Sequence, residues 1–148
     1  MPLIFKILAV TGSAMFAGVM LAIGVILGSY WKGLPPAIFL DWFAANNHLV
    51  ARAIPLVLLP ALVGIAGMLV IEWSNPAVRN IWLASAACLL IVLLLTATLF
   101  VPANSAFAAK TVPLDQVRHK LDVWLGLHTV RIAFACISAV LGVWAVSR

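Results

Sequence analysis

Toward the end of the chain, "WLGLHTVR" places Trp124, His128 and Arg131 at positions i, i+4 and i+7. On a helix that spacing puts all three side chains on one face. An imidazole there can take or return a proton near neutral pH, and a guanidinium can hold an oxyanion. His48 and Arg52 repeat the pairing at i and i+4, so two helices can each aim a His and an Arg into a shared space. Only Asp122 and Asp41 lie near these cations in sequence. Two arginines with so little acid beside them favour an anionic or enolate-type ligand.

Each residue also has a plainer reading. Arg131 can bond carbonyls at a frayed helix end and snorkel outward, and His128 can be a core histidine donating to a backbone carbonyl. Thr96 and Thr98 can bond their own helix at i−4. Asn104 can cap or turn as readily as it can contact a ligand. Tryptophans commonly anchor a chain at a membrane surface, although Trp124, beside the His–Arg pair, is placed to wall a pocket. His119, within "VRHKLD", reads as solvated. For a metal, His48 and His128 can ligate haem axially, or a copper or iron ion completed by water. No His-x-x-His, Glu-x-x-His or cysteine pair supplies further ligands. Cys88 and Cys136 lack C-x-x-C spacing and read as small buried hydrophobes.

The elements that must position these groups follow from composition. Of 148 residues, 66% are hydrophobic and 9% charged, and the mean hydropathy is +1.20. A soluble domain is about one quarter charged, so the chain is an integral membrane protein. The net charge of +5 comes from scattered basic residues. No basic stripe offers itself to nucleic acid, and the excess suits anionic lipid headgroups.

Four apolar runs, about residues 3–28, 50–72, 79–101 and 121–146, are long enough to cross a bilayer. They predict an all-α, multi-pass protein: a single transmembrane domain over residues 1–148, folded as an antiparallel four-helix bundle. "MPLIFKILAVTGSAMFAG" resembles a signal peptide, but its apolar run continues to Leu27 and reads as an uncleaved first span. "EWSNPAVRN" turns the chain between the second and third spans. Pro102 and Pro113 are expected to end the third. In the first long loop, "AIFLDWFAANNHL" carries Phe39, Trp42 and Phe43 on one helical face. It predicts either a short interfacial helix or a loop with aromatic anchors. Ala14, Gly18 and Ala22, with Gly24 and Gly28, form a small-residue stripe for close helix packing.

With four crossings, the first and third loops share one side of the membrane. His48, Arg52, Thr96, Thr98, Asn104, Trp124, His128 and Arg131 then gather at that end. Arg131 follows Asp122 by nine residues, which sets it about 13 Å into the span, near the middle of a hydrocarbon core about 30 Å thick. A guanidinium there costs on the order of 3 kcal/mol. The basic residues of the two long loops slightly outnumber those on the opposite face. The positive-inside rule therefore leans toward cytoplasmic long loops in a bacterial-type plasma membrane.

Four short spans, "TATLFVPANSAF" at the third span's end and "WLGLHTVR" opening the fourth resemble the anthrone oxygenase-like membrane proteins. The specific part of the resemblance is Pro102, Asn104, Trp124, His128 and Arg131. The family implies an O2-using oxidoreductase acting on a lipophilic phenolic or enolic substrate. On that reading His128, Arg131, His48 and Arg52 are catalytic, and Trp124, Asn104 and Thr98 bind substrate. Haem, copper or iron, if present, would take His48 and His128. The glutathione-using membrane-associated eicosanoid enzymes share the size and plan. However, "NNHLVARAIP" lacks the acidic member of their second-span signature. A reading from another class is a non-catalytic membrane protein whose Arg–His cluster binds haem, an anionic lipid or a partner helix, and either reading leaves room for a homo-oligomer.

Overall fold

A computed structural model describes residues 2–148. Four long helices account for nearly all of them: α1 (Pro2–Gly33), α2 (Pro36–Ile71), α3 (Pro76–Ala108) and α4 (Leu114–Val146). Each is apolar and long enough to cross a membrane, and neighbours in the chain run antiparallel. The connections α1–α2 and α3–α4 therefore lie together at one end, and the α2–α3 turn lies at the other. Going round the bundle the order is α2, α1, α4, α3. α1 packs along both α2 and α4, and α3 packs along α4, while α2 and α3 meet only loosely.

The helices outrun the bilayer, and polar collars mark where it ends. At the α1–α2 end, Lys32 pairs with Asp122 at 2.8 Å and Lys110 with Asp41 at 2.5 Å. Arg118 donates to the carbonyls of Lys32 and Leu34. At the opposite end Arg79 and Arg148 lie over the exposed rings of Trp73 and Trp144, an aromatic belt of the kind found at membrane surfaces. The stretch of α4 between Asp122 and Trp144 covers about 33 Å, close to the thickness of a hydrocarbon core.

Small residues set the helix spacing, but not along the expected stripe. A Cβ on Gly64 would lie 2.1 Å from the Ala9 nitrogen, and one on Gly12 would lie 2.5 Å from the Ala61 nitrogen. These glycines let the backbones of α1 and α2 touch. Gly24 and Gly28 do turn toward α4. Ala14, Gly18 and Ala22 are exposed on the bundle's outer surface. Between α3 and α4, Ser85 and Ser138 bond each other's hydroxyls and carbonyls at 2.9–3.2 Å.

Two further expectations are corrected. Residues 37–49 form no separate interfacial helix, because α2 runs unbroken from Pro36 to Ile71. Asn46 and Asn47 donate their amides to the Trp42 and Phe43 carbonyls one turn back and so stay helical. Phe39 and Phe43 are buried against Trp31 and Phe107 rather than in lipid. Pro102 does not end α3 either. The helix passes it by widening into a π turn over Thr96–Phe100, in which the Val101 N–H bonds the Thr96 carbonyl. A proline ring clashes with the carbonyl four residues back in α geometry, and the wider turn relieves that clash. α1 carries a π turn as well, at Ile23–Leu27, the first along the chain.

Candidate functional site

α4 delivers the core of the site, because its period places Trp124, His128 and Arg131 on the face that meets α1 and α3. All three are buried, His128 completely and Arg131 to 4% exposure. His128 Nε2 lies 2.8 Å from the Met20 carbonyl of α1, just before the first π turn. Its Nδ1 lies 2.7 Å from Nη2 of Arg131. A guanidinium can only donate, so Nδ1 accepts and Nε2 carries the hydrogen given to Met20. The imidazole is thereby held neutral, in one tautomer, with both nitrogens engaged. Gly24 makes room for it, since a Cβ there would sit 3.1 Å from His128 Cδ2.

Arg131 is fixed from three sides. Nη1 donates to Thr96 Oγ1 at 3.0 Å, and that hydroxyl donates in turn to the Val92 carbonyl at 2.7 Å. The guanidinium carbon stands 3.4 Å from the Phe100 ring centroid, a cation–π contact in a site without bulk water. Both Thr96 and Phe100 belong to the second π turn. Widened turns of this kind recur at functional sites, and here each of the two lies beside the His–Arg pair. Among the described residues no carboxylate pairs with Arg131, and its Nε–H has no partner. Trp124 stacks on His128 with centroids 5.0 Å apart, and its indole nitrogen donates to Asn104 Oδ1 at 2.9 Å.

Part of this cluster, with His128 behind it, forms one wall of a cavity of about 250 Å³ at the loose seam between α2 and α3. Arg131, Trp124, Thr96 and Asn104 line it from one side, and Phe43, Asn47 and Pro55 from the other. Pro55 lacks an N–H, so the Ala51 carbonyl loses its helical donor beside the cavity. The volume falls just below the usual range for small-molecule sites, about 300–1,000 Å³. It suits a compact ligand. A cleft of about 380 Å³ lies beyond Trp124, between α3 and α4. It is lined mainly by Leu99, Phe100, Val123 and Leu127 and receives neither Arg131 nor His128.

The structure brings together His128, Arg131, Trp124 and Asn104. His48 and Arg52 are exposed on α2, bond to none of these residues and do not line the cavity. Thr98 is also exposed, with its hydroxyl on the Leu94 carbonyl, and Thr96 stands at the site instead. His48 and His128 do not converge on a common ligand, and both nitrogens of His128 are taken. Among the described residues no three His, Cys, Asp or Glu side chains gather to hold a metal ion. The donor set thus does not fit haem, copper or iron held by that histidine pair. Trp31, Phe100 and the Met20 carbonyl had no signal in the sequence. Pro102 was the one residue that could have pointed to the turn carrying Phe100.

Fold and site define a multi-pass integral membrane protein whose four-helix bundle encloses a neutral histidine and an arginine that no carboxylate among the described residues pairs with. The family model for anthrone oxygenase matches residues 39–141, and the chain belongs to that family. No curated protein and no solved structure matches it.

Proposed function

We propose that the protein is an oxygenase-type enzyme that uses O2 to oxidise a small, flat, lipophilic phenol or enolisable ketone. The substrate reaches the cavity sideways from the bilayer, through the α2–α3 seam. One observation carries this reading: Arg131 is buried, has no carboxylate, and stands with spare N–H groups on the wall of a mostly apolar cavity. Family membership agrees with it.

In the proposed reaction the substrate's phenol or enol oxygen sits on Arg131, which stabilises the phenolate or enolate left when its O–H is ionised. As Nη2 turns to that oxygen it frees Nδ1 of His128, next to it, to accept the O–H proton. O2 adds to the carbanionic carbon and, on regaining a proton, gives a hydroperoxide. Loss of the second C–H proton with O–O cleavage releases water. A CH2 group and one O2 become a C=O group and one H2O, so O2 is the only oxidant required.

Detergent-purified protein given anthrone should consume O2 and form the quinone chromophore in equal amounts. Arg131→Leu should abolish both. Binding without turnover would instead leave the cluster as a recognition site.

A further inference from the structure

The Arg131 cavity contains a second buried donor that the protein leaves unsatisfied. Trp31, near the end of α1, is 2% exposed and lines the cavity, and its Nε1–H has no hydrogen-bond partner. Its ring is clamped by Phe39, Phe43 and Trp124 at centroid distances of 6.0, 5.6 and 5.6 Å. Rotation to find another partner would break those contacts. An orphaned buried N–H is destabilising, so two of them on one small cavity need a reason. Trp82 Nε1 and Ser13 Oγ are also unpaired, but neither lines this cavity.

Geometry links the two orphans. The guanidinium carbon of Arg131 stands 5.7 Å from the Trp124 ring centroid, and the Trp31 ring centroid stands 5.6 Å from it. The two donors therefore both stand against a single indole. A ligand lying against Trp124 is within reach of both.

We propose that the Trp31 indole N–H is a second anchor, donating to a ligand oxygen other than the one on Arg131. The preferred ligands are then fused aromatic molecules with two separate acceptor oxygens. This rests on the oxygenase reading for the ligand class. If that reading holds, the oxygen installed by the reaction is the one Trp31 receives.

The test is binding, so it does not depend on turnover. Isothermal titration in detergent under anaerobic conditions would compare anthrone, with one oxygen, and 9,10-anthraquinone, with oxygens on opposite edges. The wild-type protein should bind the quinone about tenfold more tightly, the worth of one buried hydrogen bond. Trp31→Phe keeps a clamped ring and should erase that preference while leaving anthrone affinity nearly unchanged. Arg131→Leu should weaken both ligands. Equal weakening of both by Trp31→Phe would reduce Trp31 to packing and overturn the proposal, as would no change in either. Should Trp31→Phe not fold, ¹⁵N-indole spectra of the wild-type protein read the same contact. One of the six indole signals should shift with the quinone and not with anthrone, and no such shift would overturn the assignment. Absent O2 consumption with an intact binding preference would refute the oxygenase reading alone.

Discussion

Arg131 Nη2 and His128 Nδ1 lie 2.7 Å apart, and the imidazole's other nitrogen is committed to Met20. The arginine therefore determines which tautomer the histidine adopts, and the histidine helps aim the arginine at the cavity. Arg131→Leu leaves Nδ1 without a donor, at about 1–3 kcal/mol. It also removes a guanidinium that costs on the order of 3 kcal/mol at that depth. The two nearly cancel. The variant should insert and melt close to wild type while losing oxidation about 10²–10³-fold. Arg131→Lys should rescue little, because an ammonium cannot serve Thr96, His128 and a ligand from one plane. Undiminished turnover in a well-folded Arg131→Leu protein would remove Arg131 from the chemistry.

Thr96 and Thr98 offer a sharper comparison. Thr96 accepts from Arg131, whereas the Thr98 hydroxyl turns back to its own helix on an exposed face. Thr96→Val deletes a charge-assisted bond worth about 1.5–3 kcal/mol and should lower kcat/KM by about tenfold or more. Thr98→Val, His48→Ala and Arg52→Ala should each stay within about twofold of wild type, since surface changes are usually small. Steady-state assays of the four variants check this. A large loss in His48→Ala or Arg52→Ala would bring α2's outer face into the site.

Why α4 was legible in the sequence and α2 was not comes down to solvent. In water, an i, i+4 pair of polar residues marks the outside of a helix, and apolar periodicity marks the inside. In lipid both faces are apolar, so His48 and Arg52 share a face without revealing which way it points. His128 and Arg131 were expected to turn inward because intramembrane charge usually does, and here they do. The stripe of Ala14, Gly18 and Ala22 failed for the same reason: small residues permit close approach but do not require it. The four spans were readable from length and hydropathy alone. Thr96 could not be separated from Thr98 because a π turn shifts the helical phase between them and the residues before it. The Met20 carbonyl and the Trp31 indole depend on tertiary contacts that no local pattern records.

The close contact of α1 and α2 predicts a contrast between two glycines. A Cβ on Gly64 would meet the Ala9 backbone at 2.1 Å, while one on Gly18 has nothing within 4 Å. Backbone cannot move aside as a side-chain tip can. Gly64→Ala should therefore force the helices apart and cost about 1–3 kcal/mol, as overpacking does. Gly18→Ala should be neutral or slightly stabilising, since alanine is the better helix former. Thermal melts in one detergent would compare them, and equal melting temperatures would count against this packing.

Pro102 joins the backbone of α3 to the site. It has no N–H to continue an α-helical ladder, and the π turn at Thr96–Phe100 immediately precedes Val101. That extra-wide turn sets the phase at which Thr96 and Phe100 face Arg131 while Asn104, beyond it, still faces Trp124. Pro102→Ala restores a donor and lets the segment relax toward α geometry. Thr96 and Phe100 would then rotate relative to Asn104, by about 100° for a full one-residue change of phase. The expected result is a protein at least as stable as wild type, with a higher melting temperature, that has lost most of its turnover. Adding Thr96→Val to Pro102→Ala should then cost little more, because the Arg131–Thr96 bond is already gone. If Pro102→Ala keeps full activity and the Thr96→Val penalty is undiminished, the π turn is held by packing against α4 and not by the proline.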